Sequence, residues 1–206
     1  MDIGCPTLRI GESVSGSMRS YHRNCIYPQL KEQPLEDIDV SNGLVWKLTD
    51  KTKLYIIDGM NNRIISYNYN VRQRRIVAKT DVVFDLSEWV EGLEHPLYND
   101  HAMLGRMAID NRGRLYVPLK GGSHVLQIQP RSNYKVQRII RIPAVKVSTC
   151  AIGDMNMNIL YVSTLACGPR DACPPNDQGG RIFAAFIVSD SFSLDAMPFV
   201  MPVGTL

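Results

Sequence analysis

The chain has 206 residues and a formal net charge of +3 at pH 7, and 45% of its residues are hydrophobic while 21% are charged. These values are typical of a globular protein that buries a sizeable core, and a charge this close to neutral favours no strongly charged partner. No apolar stretch reaches the roughly 18 to 20 residues that a membrane-spanning helix needs, so we expect no membrane partner.

The N-terminal segment begins MDIGCPTLRI. It has neither the basic region nor the apolar region of a signal peptide, so we expect a cytoplasmic protein, or a secreted one if a signal peptide precedes this sequence. The first predicted strand is an edge strand at Gly16–Tyr21. The segment Asn24–Asp37 contains two prolines and is predicted to be loop and weak strand.

A β-hairpin is predicted in the next part of the chain. Two apolar runs, Leu54–Ile57 and Ile64–Tyr69, are rich in β-branched and aromatic residues. Between them lie Gly59 and Asn61-Asn62, which tolerate the positive φ of a tight turn. A further short strand, Gly43–Lys47, precedes the hairpin.

The pair Leu-Tyr followed by a β-branched residue occurs three times, at Leu54-Tyr55-Ile56, Leu115-Tyr116-Val117 and Leu160-Tyr161-Val162. Each copy has a short strand before it and a glycine-containing or asparagine-containing turn before the strand that follows. Short strands repeating at about 45 residues are typical of the four-stranded blades of a propeller. An insertion at Asp85–Met103 explains the longer first spacing.

One short helix is predicted within this insertion. The segment Asp85–Gly92 reads DLSEWVEG, with Asp85 or Ser87 as the N-cap and Gly92 as the end of the helical turn. No long helical periodicity occurs elsewhere. The sequence therefore predicts an all-β fold in a single domain over residues 1–206.

The densest basic cluster is Arg72-Gln73-Arg74-Arg75. Nucleic-acid-binding surfaces usually combine such a cluster with aromatic residues or a recognition helix, and neither accompanies it here. We therefore interpret it as a solvated loop and expect no nucleic-acid partner.

Five cysteines are present. Cys150 lies in an apolar strand and is predicted to be a small core residue. Cys167 and Cys173 lie in a proline-rich loop, where they could form a disulfide in an oxidising compartment. A zinc site is disfavoured because these thiols lack a second pair of ligands.

A family resemblance rests on three motifs that occur in order and with family-like spacing: Ser41–Trp46, reading SNGLVW, the hairpin after it, and Met107–Val117, reading MAIDNRGRLYV. From residue 16 to about residue 186 the sequence resembles the regucalcin/gluconolactonase/luciferin-regenerating-enzyme family. The resemblance implies a six-bladed β-propeller, here truncated at the N-terminus to about four blades. It also implies a divalent metal, calcium or zinc, in the central channel and hydrolysis of small sugar lactones.

The resemblance also assigns site residues. Asn42 corresponds to a metal-binding asparagine of the family, and its side-chain oxygen is of the kind that calcium accepts. Gly105 stands where the family has a metal-binding aspartate that serves as general base, and Arg106 stands where it has a glycine. Asp110 corresponds to a turn aspartate and is no substitute, whereas Asp100 is a candidate replacement. The family's glutamate ligand and substrate-binding residues fall before residue 1, and no catalytic residue is identified.

Two functions remain open after this comparison. The first is a metal-dependent sugar-lactone hydrolase that binds calcium or zinc through Asn42. The second is a non-catalytic propeller that binds calcium or another protein, which Gly105 and Arg106 favour because glycine cannot coordinate and arginine repels a dication. Because an incomplete propeller leaves strand edges exposed, we also expect an oligomer or a partner that supplies the missing blades.

Overall fold

The computed structural model describes residues 17–22, 29–35, 38–49, 51–98, 101–130, 134–187, 193–195 and 197–198. These residues form 16 strands and one short helix, numbered here in chain order. The strands belong to four separate sheets. The prediction of an all-β fold is therefore confirmed.

The smallest sheet is an antiparallel pair, β1 (Ser17–His22) and β2 (Gln29–Pro34). The predicted edge strand at the start of the chain thus exists, and its partner lies in the segment that was predicted as loop and weak strand. This pair precedes three larger sheets.

The first larger sheet contains four consecutive antiparallel strands: β3 (Ser41–Trp46), β4 (Lys53–Asp58), β5 (Arg63–Asn70) and β6 (Arg75–Asp85). The predicted hairpin is β4–β5, and its turn residue Asn62 has the expected positive φ of 50°. The pairing of β3 with β4 shifts between Ser41 and Leu44, where Gly43 adopts a φ of 140° that side chains disfavour.

The helix α1 (Leu86–Glu91) follows this sheet and begins as the sequence predicts. The side chain of Asp85 accepts hydrogen bonds from the backbone N–H groups of Ser87 at 3.0 Å and Glu88 at 3.4 Å, which is N-capping. Gly92 ends the helix. In the described part of the chain, no helix has the length and apolar character needed to cross a membrane.

The second larger sheet has an interrupted first strand. Both parts of that strand, β7 (Met103–Leu104) and β8 (Ala108–Ile109), pair with β9 (Leu115–Lys120). The other members of the sheet are β10 (His124–Gln129), β11 (Lys135–Arg141) and β15 (Ser193–Asp195).

The third larger sheet consists of β12 (Val147–Gly153), β13 (Ile159–Thr164), β14 (Ile182–Phe186) and β16 (Met197–Pro198).

The three larger sheets pack face to face through apolar side chains. Alternate residues of a strand point to opposite faces, so β9 sends Leu115 and Val117 into the cluster shared with the first sheet and Tyr116 into the cluster shared with the third. Stacked four-stranded sheets of this kind are the blades of a propeller. The described residues thus form three blades and a two-stranded sheet, which is consistent with the expected count of about four.

The first strands of the three blades meet along one side of the stack. Arg106, which interrupts β7 and β8, forms a parallel bridge with Thr149 of β12. On the other side, Asn42 of β3 donates a hydrogen bond from Nδ2 to the carbonyl oxygen of Leu104 at 2.7 Å. The residues assigned by the family resemblance therefore lie on these converging inner strands.

Candidate functional site

A cleft of about 250 Å³ opens where the three blades meet. Its polar lining consists of Asn42, Lys120 and Ser148, and the backbone of Gly105 forms part of its wall. Apolar side chains, including Met103 and Leu104, make up most of the remainder. The cleft therefore brings together the two positions, 42 and 105, that the resemblance associates with the family's metal.

Two asparagines of the first blade hold the neighbouring segment of the second blade. Asn42 donates from Nδ2 to the carbonyl oxygen of Leu104, and Asn62 accepts from the backbone N–H of Leu104 at 3.0 Å. Asn62 also donates from Nδ2 to the carbonyl oxygen of Ala102 at 3.4 Å. The sequence predicts Asn62 only as a turn residue, because its hydrogen-bond partners lie about 40 residues away in the chain.

The backbone around Gly105 leaves no room for a side chain. The N–H of Gly105 donates to the carbonyl oxygen of Pro118 at 2.7 Å, which fixes its position in the second blade. A Cβ atom added to Gly105 would lie 2.3 Å from the backbone oxygen of Ser148, far inside van der Waals contact. An aspartate cannot occupy this position without displacing the third blade.

Arg106 is exposed, and its backbone is held between the second and third blades. Its N–H donates to the oxygen of Ser148 at 3.2 Å, and its oxygen accepts from the N–H of Cys150 at 3.2 Å. A Cβ atom at Gly43 would lie 3.2 Å from Cγ of Arg106, so the arginine stem passes over the glycine that follows Asn42. Among the described residues, no carboxylate forms an ion pair with this guanidinium.

Asp110 lies in a turn, as the resemblance implies. Its side chain is only 4% exposed and accepts from the backbone N–H groups of Arg112 and Arg114, both at 2.9 Å, and from Nε of Arg114 at 2.6 Å. It also accepts from the hydroxyl of Tyr116 at 3.3 Å, so the carboxylate is satisfied by its own turn and by β9, and it does not line the cleft. Asp100, the other candidate carboxylate, lies outside the described residues.

The side chains that line the cleft determine whether a divalent cation can bind there. Calcium takes six to eight oxygen ligands, usually including several carboxylates. No aspartate or glutamate lines the cleft within the described part of the chain, and Lys120 adds a positive charge there. By themselves, these described lining residues do not fit a divalent cation.

A second group of metal-type ligands lies in the loop after β13. Cys167 and Cys173 form a disulfide, and the two sulfur atoms lie near the carboxylate of Asp177. Asp177 accepts hydrogen bonds from the N–H groups of Val145 at 2.6 Å and Gly179 at 2.8 Å. Because disulfide sulfurs are not thiolate ligands, the structure supports a disulfide-closed loop anchored by Asp177 and not a zinc site.

The groups with strongly shifted pKa values lie in the core and not in the cleft. The hydroxyl of Tyr116 accepts from Nε2 of Gln127 at 2.6 Å, and burial raises the pKa of Tyr116 to about 12. Burial also raises the pKa of the Cys150 thiol to about 12. Both groups stay protonated at neutral pH, so they serve packing between the second and third blades.

The sequence of this chain is similar to known proteins of one family. Residues 21–166 match the family described as the SMP-30/Gluconolactonase/LRE-like region. The chain is 28% identical over 155 residues to a putative sugar lactone lactonase, YvrE, of Bacillus subtilis, a match that covers 75% of this chain and 47% of that protein.

Solved structures agree with this match. A luciferin-regenerating enzyme superposes with a TM-score of 0.63 at 21% identity, covering 81% of this chain and 52% of that one. A protein described as a calcium-binding protein, regucalcin, from Agrobacterium tumefaciens superposes with a TM-score of 0.58 at 18% identity, covering 77% and 49% of the two chains. These likenesses show a common propeller fold.

The match to the family covers well over half of the chain, from the strand β1 to the loop after β13. The chain spans about half the length of the relatives and structures it matches. Because the family match, the three blades and the Asn42 motif coincide in sequence position, the chain belongs to the SMP-30/gluconolactonase/LRE-like family.

Proposed function

We propose that this chain is a non-hydrolytic member of its family, whose cleft binds a small polar molecule of the sugar-lactone type without a catalytic metal. The observation that carries the proposal is the backbone at Gly105, which excludes the carboxylate that the family resemblance places there as metal ligand and base. Without that carboxylate, the described lining of the cleft offers neither the charge that holds a dication nor a general base.

The remaining lining is suited to binding by hydrogen bonds and apolar contact. Asn42 commits Nδ2 to Leu104, which leaves its carbonyl oxygen to accept from a ligand hydroxyl. The ammonium group of Lys120 and the hydroxyl of Ser148 can donate to ligand oxygens. Met103 and Leu104 supply the apolar surface against which a sugar ring packs.

The second candidate function is metal-dependent lactone hydrolysis. It is favoured by the position of Asn42 in the family motif and by the relative named as a putative sugar lactone lactonase. This function needs carboxylate ligands from residues outside the described cleft lining. The two candidates therefore differ in one measurable property, turnover that depends on a metal.

The test combines binding and turnover on the same protein. A sugar lactone and its ring-opened acid are titrated calorimetrically in chelator, and hydrolysis of the lactone is followed with added calcium or zinc. We expect saturable binding and hydrolysis no faster than in buffer alone. Replacing Asn42→Ala or Lys120→Met should weaken binding about tenfold, the usual effect of removing one hydrogen bond to a buried or charged partner.

The matched control is Lys135→Met, which makes the same replacement on the exposed start of β11, away from the cleft. This variant should bind as the wild type does. Metal-stimulated hydrolysis by the wild type would contradict the proposal and favour the lactonase. Failure of every sugar lactone and acid to bind would also contradict it.

A further inference from the structure

The loop between β13 and β14 has no apolar core of its own. It runs over residues 165–180, and every side chain in it is exposed or only half-buried. Burial of apolar side chains is the main force that fixes a segment in place. This segment, which we name the disulfide loop, is therefore held by its hydrogen bonds and by the Cys167–Cys173 disulfide, whose cysteines are six residues apart in the sequence.

The disulfide lies against the aspartate that fixes the disulfide loop to the connection between the second and third blades. Sγ of Cys167 is 3.3 Å from Oδ1 of Asp177. The same carboxylate accepts from the N–H of Val145 through Oδ2 at 2.6 Å and from the N–H of Gly179 through Oδ1 at 2.8 Å. A change in the position of the sulfur atoms therefore acts directly on the group that holds Val145.

Further bonds join the disulfide loop to the residue after Val145. The N–H of Leu165 donates to the carbonyl oxygen of Lys146 at 2.9 Å. Nζ of Lys146 donates to the carboxylate of Asp171, which lies between the two cysteines in the sequence. The blade connection at residues 145–146 is thus held both by the start of the disulfide loop and by the turn that the disulfide closes.

The connection that the disulfide loop holds is continuous with the wall of the cleft. Lys146 forms an isolated bridge with Lys120. Two residues further along, the backbone oxygen of Ser148 accepts from the N–H of Arg106 at 3.2 Å. Lys120 and Ser148 line the cleft, and so does Leu165 at the start of the disulfide loop. The position of this part of the wall therefore depends on the disulfide loop.

The disulfide loop borders space into which it can move. A cavity of about 330 Å³ lies between its far end and the second blade. Pro174 and Gln178 form one side of this cavity, and Ser123 and Arg141 form part of the other. Segments with few buried apolar contacts open locally at little cost in free energy. The disulfide is therefore the covalent constraint that keeps this loop in place.

The disulfide is also accessible to a reductant, because Cys167 and Cys173 are half-buried and not enclosed. The thiolate of a dithiol attacks one sulfur, forms a mixed disulfide, and is then displaced by the second thiol of the same molecule. Two electrons and two protons pass to the cysteines, which become free thiols, and the dithiol becomes a disulfide. Sulfur atoms that are no longer bonded move apart, and they do so beside Asp177.

We propose that the Cys167–Cys173 disulfide is a redox-sensitive clamp on the cleft, so that its reduction by a dithiol weakens binding of the ligand. The proposal rests on the proposed function, because it takes the cleft to bind a polar molecule of the sugar-lactone type. Reduction displaces Asp177, loosens its bond to Val145 and frees Ser148 to move. The coupling is reciprocal, so the bound ligand makes the disulfide harder to reduce by the same factor.

The test compares the oxidised chain with the chain reduced by dithiothreitol in the absence of oxygen. A ring-opened sugar acid is titrated calorimetrically into both. We expect the dissociation constant to be at least about fivefold higher for the reduced chain, the lower end of typical coupling between sites. The variant Cys167→Ser/Cys173→Ser should bind as weakly as the reduced chain and should not respond to dithiothreitol. Asp177→Ala keeps the disulfide but removes its link to Val145, so it should bind weakly in both states.

Two variants serve as matched controls. Asp154→Ala removes another carboxylate of the third blade that accepts from two backbone N–H groups, but this one lies in the turn after β12 and does not line the cleft. Cys5→Ser/Cys25→Ser keeps the Cys167–Cys173 pair. Both should bind as the wild type does when oxidised and should weaken by the same factor when reduced. Circular dichroism verifies that all variants are folded.

Hydrogen exchange measures the clamp without a ligand. The N–H of Val145 donates to Asp177, and the N–H of Arg106 donates to Ser148. On reduction both should exchange at least about tenfold faster, because the bonds that protect them open more often. The N–H of Tyr69 in the first blade, which donates to a carbonyl within its own sheet, should exchange at the same rate in both states.

The outcomes separate the clamp from the proposed function. Equal dissociation constants in the oxidised and reduced chains would overturn the clamp, whatever the exchange rates. If no sugar lactone or acid binds in either state, the proposed function fails, and the exchange rate of Arg106 decides the clamp alone. Faster exchange of Arg106 on reduction would then support a clamp on the cleft wall, and unchanged exchange would overturn it.

Discussion

Gly105 leaves the cleft without a carboxylate at this position, and Ser148 of the next blade is the residue that leaves no room for one. The sequence predicts the loss of a ligand at this position, because glycine has no coordinating side chain. It does not reveal that the backbone oxygen of Ser148 lies 2.3 Å from the position that a Cβ atom of residue 105 would take. That contact arises only when the second and third blades pack.

Replacing Gly105→Ala should destabilise the protein, because the new methyl group would lie 2.3 Å from a backbone oxygen that two blades hold in place. Overpacking of this kind costs about 1–3 kcal/mol. Denaturant unfolding measures the loss. Gly92→Ala is the control, since its nearest heavy atom would be 3.5 Å away, and it should change stability little. Equal stability of Gly105→Ala and the wild type would contradict this account of the site.

The buried tyrosine of the second blade gives a prediction for alkaline pH. Burial raises the pKa of Tyr116 from 10.0 to about 12, so the unfolded chain loses this proton at lower pH than the folded chain does. The stabilising contribution is complete below pH 10 and is lost as pH rises toward about 12. The free energy of unfolding should therefore fall across this range, by roughly 2 kcal/mol from this group.

The variant that tests this titration is Tyr116→Phe. It should lower stability at pH 8 by removing the hydrogen bonds of the hydroxyl with Gln127 and Asp110, but its stability should fall less steeply above pH 10 than that of the wild type. Identical slopes in the two proteins would show that Tyr116 does not titrate with folding.

At the scale of elements, the short strands and the hairpin β4–β5 could be predicted, because β-branched runs and turn residues are local signals. The cap at Asp85 was predictable for the same reason. The interrupted strand β7–β8 and the hydrogen bonds of Asn62 were not, because they depend on pairing between distant segments. Local sequence is therefore enough to predict the strands and the helix, whereas the way in which they join depends on contacts between distant segments.

The helix α1 provides a test of the capping argument. Asp85→Ala removes the acceptor for the N–H groups of Ser87 and Glu88 and should cost about 1 kcal/mol in the free energy of unfolding. Asp85→Asn keeps an oxygen acceptor and should recover most of the loss. If both substitutions cost the same, the charge and not the cap is what matters.

The loop after β13 is stabilised by the Cys167–Cys173 disulfide and by Asp177. Closing so short a loop removes roughly 2 kcal/mol of chain entropy from the unfolded state. Replacing both cysteines by serine, or adding a reductant, should therefore lower the unfolding midpoint. The double variant Cys5→Ser/Cys25→Ser retains this pair and provides the control, in which reductant should still lower the midpoint.

At the scale of the whole molecule, the repeated Leu-Tyr motif predicted a propeller, and the three motifs between Ser41 and Val117 predicted its family. Exposure could not be read from the motif, because the three tyrosines are alike in sequence and differ only in what lies beside them. The difference in burial between these tyrosines therefore became visible only after the blades were placed.

The most direct test of the central claim is thermal unfolding of the purified chain in excess chelator, then with calcium and with zinc, alongside the Asn42→Ala variant. A ligand that binds only the folded state raises the unfolding midpoint, by about 2.7 kcal/mol of added stability at a hundred times its dissociation constant. We predict a cooperative transition whose midpoint neither metal raises in the wild type or the variant. A midpoint that calcium or zinc raises in the wild type and not in Asn42→Ala would contradict the account and establish a metal site at the cleft.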